Sequence, residues 1–84
     1  MPKTTTNHAE PDVIGTFAAN LRAQRTARGL TLAELARRVR YSERYLELIE
    51  RGDLDPTINT LAELALALDL KPTQLLVPAP AMQT

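Results

Sequence analysis

Residues 31–52, TLAELARRVRYSERYLELIERG, constrain this chain more than any other stretch. Thr31 is a capping residue, and Leu35, Ala36 and Val39 follow it as an apolar stripe at helical spacing. Ser42 opens a second segment in the same way, with Tyr45, Leu46 and Ile49 on its inner face and Gly52 as its stop. The spacing predicts one helix over 32–39 and another over 43–51, separated only by residues 40–42. A connection that short makes one unit in which one helix protrudes while the other braces it.

The flanking segments follow the same rules. Asp12 is placed to cap a helix over 13–28, in which Ile14, Phe17, Ala18 and Leu21 recur on one face. Gly29 is the expected left-handed residue after it. The acidic loop 52–56 ends in Pro56, which stops a helix from running straight through. The next helix, from about Thr57 to Leu68, carries Leu61, Leu64, Ala65 and Leu68 as its core stripe. Asp69 is expected to tolerate a left-handed backbone there. Pro72 suits the first turn of a last helix over 72–76. The expected organisation is an all-α domain over 13–77, between a flexible polar arm (1–12) and a proline-containing tail (78–84).

A chain of 84 residues has room for one small core. It contains no cysteine and a single histidine, His8, which excludes disulfides, thiolate metal sites and a zinc site. Asp53 and Asp55 are too few for a calcium loop. There is no glycine-rich phosphate loop and no nucleophile–base pair, so neither a cofactor nor an enzyme is expected. The segment MPKTTTNHAEPD lacks the apolar core of a secretion signal, and the apolar stretch Leu61–Leu70 is broken by Glu63 and Asp69. The expected setting is cytoplasmic, without a membrane partner.

Lysine plus arginine and aspartate plus glutamate balance at ten each, but their distribution is uneven. Residues 13–51 hold eight arginines against four glutamates, whereas residues 52–84 hold Lys71 against Asp53, Asp55, Glu63 and Asp69. Such asymmetry suits a molecule that turns one face toward phosphates.

The blocks LRAQRTARGLTLAELA (21–36), YLELIERG (45–52), DPTINTLAELALALDL (55–70) and PTQLL (72–76) stand in order and at the right spacing. Together they resemble the Cro/repressor-type helix-turn-helix family, also called the xenobiotic-response-element family. The resemblance implies a compact five-helix, lambda-repressor-like DNA-binding domain that regulates transcription, usually as a homodimer on double-stranded DNA. It places Glu43, Arg44 and Leu48 where such proteins set base-reading side chains, and Glu47 faces outward beside them. Arg44 is the strongest base reader by chemistry, since a guanidinium can bond both acceptors of guanine. It can equally pair with Glu47 or Glu43 as an exposed helix charge. Ser42, Arg40, Arg51 and Arg38 are the candidate phosphate contacts, with Ser42 also the cap of its helix. Arg37 and Arg38 read equally well as a solvated face.

Four positions depart from the family pattern, among them Asp69, where glycine is usual, and Leu66, where a polar or small residue is usual. Leu32 replaces a common phosphate-binding glutamine, and Arg40 stands where a turn glycine is usual, which predicts backbone strain or a shifted turn. The resemblance also pairs Arg25 with Glu50 as a structural ion pair.

Leu66 points away from the core stripe of its helix, and Leu70, Leu75, Leu76 and Val77 follow within a few residues. These five predict an apolar dimer interface and a palindromic site. Such a small regulator is expected to respond to its own concentration rather than to a small-molecule effector. Phage Cro-like repressors and restriction-modification controllers are both of this kind. The alternative is a protein-docking module, antitoxin or coactivator-like, in which acidic Glu43 and Glu47 would suit a protein partner.

Overall fold

The structure, a computed structural model, describes residues 12–78. Apart from Asp12 and Pro78, the expected arm and tail lie outside the described residues. The described residues form four α-helices and one 3-10 turn: α1 (Val13–Ala27), α2 (Leu32–Arg38), α3 (Glu43–Glu50), α4 (Ile58–Ala67) and the turn Pro72–Leu75.

Each helix begins where a short polar side chain can satisfy the free N–H groups of its first turn. Asp12 Oδ1 accepts from the Gly15 N–H at 3.0 Å, Ser42 Oγ from Tyr45 at 3.0 Å and Thr57 Oγ1 from Thr60 at 3.1 Å. At α2 the cap is reciprocal. Thr31 Oγ1 accepts from the Glu34 N–H at 3.0 Å, and Glu34 Oε1 accepts from the Thr31 N–H at 2.8 Å. These bonds hold the Glu34 carboxyl below the usual carboxylate range, the backbone donor contributing most. A Cβ at Gly15 would meet the Asp12 carboxylate, so a larger residue there would make the capping side chain shift.

The left-handed residues that end α1, α3 and α4 fall where the sequence predicts. Gly29 and Gly52 take φ of 69° and 77°, in the left-handed region that costs a glycine least. Asp69, at φ 61°, is the only non-glycine with positive φ among the described residues. The strain expected at Arg40 is therefore absent. Val39 ends α2 in an extended conformation (φ −122°, ψ −176°), and the connection becomes the four residues Val39–Ser42 rather than a tight glycine turn.

Phe17, Leu21, Leu35, Leu46, Ile49, Leu64, Leu68 and Leu75 are almost wholly removed from solvent and form one core. Helix α3 packs against both α1 and α2, while α1 and α4 hold the 3-10 turn between them. The expected fifth helix is only this turn. Its four residues begin with Pro72, and the Gln74 side chain takes the Lys71 N–H at 2.8 Å. Ile14 is more peripheral than its periodicity predicts, at 36% exposure.

Candidate nucleic-acid interface

Helix α3 has two faces with different work. Its inner face is anchored by Leu46 and Ile49, at 0% and 1% exposure. On its outer face Glu43 and Arg44 are exposed, while Glu47 and Leu48 are half-buried. Arg44 Nη1 lies 3.4 Å from Glu47 Oε1, with side chains 70% and 43% exposed. A pair so open to water and at that distance adds little to stability, about 0–1 kcal/mol. It leaves the guanidinium free to exchange its carboxylate for another acceptor.

The pair at the other end of α3 is built differently. Arg25 Nε donates to Glu50 Oε2 at 2.7 Å and Nη2 to Oε1 at 3.0 Å, a two-pronged bond between α1 and α3. Arg25 Nη1 also donates to the Leu30 carbonyl at 2.6 Å, which ties in the loop before α2. The side chains are only 11% and 6% exposed. The hydrogen bond to Glu50 raises the Arg25 pKa above its ordinary value against the opposing effect of burial. This pair orients α3 on its scaffold, and both groups are spent in doing so.

Around the outer face, Arg38 and Arg40 are exposed and make no ion pair among the described residues. Arg51 is less available, because its Nε sits 3.2 Å from Asp53 Oδ2. Ser42 accepts through Oγ as the cap of α3, and its hydroxyl hydrogen remains a donor. Leu32, in the place of the family's glutamine, packs against the core and lines a charged cleft with Arg22, Arg25, Glu47, Glu50 and Arg51.

Two polar anchors were not singled out from the sequence. Thr60, 3% exposed, donates from Oγ1 to the Tyr41 hydroxyl at 3.0 Å and accepts from Thr57 Oγ1 at 3.0 Å. Tyr41 in turn sets its ring 5.0 Å from that of Tyr45. The connection before α3 is thereby tied to the start of α4. Asn20 Nδ2 donates to the carbonyls of Leu75 (3.1 Å) and Val77 (2.6 Å), which pins the C-terminal turn to α1. The only sequence signal for either was a polar residue inside a helical pattern.

The five residues expected in a dimer patch have three different fates. Leu75 is fully buried and belongs to the core, which corrects its assignment to an exposed interface. Leu70 and Leu76 are half-buried against that core. Only Leu66 (78%) and Val77 (54%) remain exposed, and they border different grooves. Helix α4 and the 3-10 turn hide more apolar surface than the leucine count suggested, because α1 covers the turn from the other side.

Comparison with known proteins decides what kind of scaffold this is. Residues 16–76 match the family model described as a helix-turn-helix domain. The chain belongs to the helix-turn-helix family. A Sinorhizobium fredii protein named as an uncharacterized HTH-type transcriptional regulator, y4dJ, is 39% identical over 66 residues, covering 79% of this chain and 82% of its own. Among solved structures, the hypothetical transcription factor NHTF from Neisseria superposes with a TM-score of 0.79 at 28% identity, over 86% of this chain and 83% of that one. The restriction-modification controller protein C.AhdI from Aeromonas hydrophila gives 0.71 at 34% identity, over 74% and 94%. The clp gene regulator ClgR from Corynebacterium glutamicum gives 0.74 at 36% identity, over 80% and 86%. This helix-turn-helix protein, all-helical among its described residues, is thus a member of a Cro-like group of DNA-binding transcriptional regulators rather than an enzyme. No helix among the described residues is long and apolar enough to cross a membrane.

Proposed function

We propose that this helix-turn-helix protein regulates transcription by binding a palindromic operator as a homodimer, with α3 in the major groove. One observation carries the reading. The inner face of α3 is fixed by Leu46, Ile49 and the buried Glu50, while its outer face offers Glu43, Arg44, Glu47 and Leu48 between Ser42 and Arg51. A rigid helix with polar groups on its free side is what base reading requires.

Arg44 takes the acceptors of a guanine, and Glu43 or Glu47 can accept from a cytosine amino group. Leu48 has only an apolar surface to offer, which suits a thymine methyl. Arg38, Arg40, Ser42 and Arg51 face the phosphates, with Arg51 released from Asp53 on binding. Two copies related by a two-fold axis would place their recognition helices roughly 34–36 Å apart, one turn of DNA.

The exposed carboxylates on α3 favour a second reading, docking to a protein. Selection of bound sequences from a random DNA pool, followed by mobility shifts over a salt series, separates the two. A palindromic consensus whose affinity falls steeply with salt is the expected result. Uniform, sequence-blind retention would sink the operator reading, and no retention at any salt would favour protein docking.

A further inference from the structure

Adenine is read in the major groove by asparagine or glutamine, whose amide both donates and accepts. Helix α3, with the sequence ERYLELIE, contains neither. Its outer face holds one two-pronged donor, Arg44, two acceptors, Glu43 and Glu47, and one apolar side chain, Leu48. Tyr45 is not among them, because its half-buried ring leans on Tyr41. At 3.6 residues per turn, Arg44 stands between Glu47, about 60° to one side, and Leu48, about 40° to the other. Glu47 Oε1 lies 3.4 Å from Arg44 Nη1. Glu47 and Leu48 both sit one turn beyond Arg44 along the helix, about 5–6 Å away, while stacked base pairs rise about 3.4 Å. The two therefore meet the base pair next to the one that Arg44 meets. Glu43 precedes Arg44 and faces the other neighbour.

We infer that this face selects a guanine flanked by a cytosine that carries a methyl group on C5. The inference rests on the operator reading above and names the chemistry of its central contact. Arg44 takes N7 and O6 of the guanine. A carboxylate at the next pair needs a donor with no acceptor beside it. Adenine sets its amino group next to N7, which repels a carboxylate, whereas cytosine offers its amino group alone. Leu48 can neither donate nor accept, so it gains only from a methyl group. Thymine has that methyl, but its O4 acceptor would face Glu47. 5-Methylcytosine is the base that presents the amino donor and the methyl together. A carboxylate has lone pairs for more than one donor, so Glu47 can hold Arg44 and the cytosine amino group at once. Leu48 then closes over the methyl.

Two random duplex pools, one with ordinary cytosine and one made with 5-methylcytosine throughout, test this when each is selected on the full chain. The methylated pool should return a guanine with 5-methylcytosine beside it. Mobility shifts on the selected operator then compare 5-methylcytosine, cytosine and thymine (paired with adenine) at that position. The methyl should tighten binding about fourfold in one half-site and roughly fifteenfold in both, the gain from burying one methyl group in each. Thymine should bind about tenfold more weakly than 5-methylcytosine, because it has no amino donor. Leu48→Ala should erase the gain from methylation. Glu47→Gln, whose amide can donate to O4, should bring thymine level with 5-methylcytosine. A consensus without such a step, a methyl that leaves wild-type affinity unchanged or weakens it, or thymine as good as 5-methylcytosine would overturn the inference while leaving the operator reading intact. So would a Leu48→Ala protein that keeps the full methyl preference. The wild-type comparisons decide the matter even if a variant fails to fold. No consensus from either pool would sink the operator reading itself.

Discussion

Helix α3 joins two arginine–glutamate pairs of the same chemistry in opposite surroundings. Glu50 and Arg25 meet at 2.7 Å between α1 and α3, nearly shut off from water. Arg44 and Glu47 meet at 3.4 Å on the outer face, one mostly and the other nearly half exposed. In the first pair, desolvation makes each charge dependent on the other, since an unpaired buried ion is costly. In the second, water screens both charges, and either can leave the other without penalty. Burial thus turns one pair into scaffold and leaves the other available for recognition.

The sharpest way to break this comparison is to remove one partner from each pair. Glu50→Ala should cost about 3–5 kcal/mol by leaving Arg25 buried and uncompensated. For a small domain that is a large share of a total folding free energy of about 5–15 kcal/mol. Replacing both, as Arg25→Met with Glu50→Leu, should recover much of the loss. Thermal unfolding checks both variants, and a melting temperature for Glu50→Ala within a few degrees of wild type would show that the pair is not a scaffold element.

Arg44→Ala should do the reverse. Folding should be nearly unchanged, specific DNA binding should weaken by about 1–3 kcal/mol, and preference should relax at a single base position. Arg40→Ala is its control. It should weaken specific and random DNA alike and reduce the salt slope by about one unit. Binding-site selection with the Arg44 variant is the decisive measurement, and an unaltered consensus would remove Arg44 from base reading.

A smaller effect separates the two polar anchors from the ion pairs. Asn20→Ala leaves two carbonyls of the C-terminal turn without their donor and should cost about 0.5–1.5 kcal/mol, read from urea unfolding. The loss should be confined to stability, with the DNA consensus untouched.

The smallest effect concerns pH. The Glu34 carboxyl is held below its ordinary range by the Thr31 N–H, so the folded chain binds its proton less readily than the unfolded chain. The resulting stability is present in full above the ordinary carboxylate pKa. It is lost as pH falls through the lowered folded value. Glu34→Gln can keep the capping bond without titrating. Its melting temperature should therefore fall less steeply than that of wild type across that acidic window. Parallel curves would mean that Glu34 contributes nothing to the acid limb.

Local chemistry made most of the helical frame legible. Asp12, Thr31, Ser42 and Thr57 cap the helices because each acts on N–H groups within three residues of itself. Gly29, Gly52 and Asp69 terminate them through their own backbone angles. The core stripe Leu61, Leu64, Ala65 and Leu68 followed from a period that any helix imposes. The same period would have put Ile58 beside Ala62 and Leu66, but no alternation of charge marked that face. The outer positions of α3 were readable in the same way, as was Arg25 with Glu50 from the family resemblance.

What only the tertiary structure decided are relations between residues far apart in the chain. Leu75 is core and Leu66 is surface, although both stand in leucine-rich sequence, because α1 covers the 3-10 turn while nothing among the described residues covers the outer face of α4. Asn20 reaches Val77 across 57 positions, and Thr60 reaches Tyr41 across 19. Arg40 sits without strain because the connection lengthened by ending α2 at Arg38. A sequence fixes the direction of each side chain relative to its own helix. Which of those directions meets another helix, and which meets water, is settled only when all the apolar faces compete for one small core.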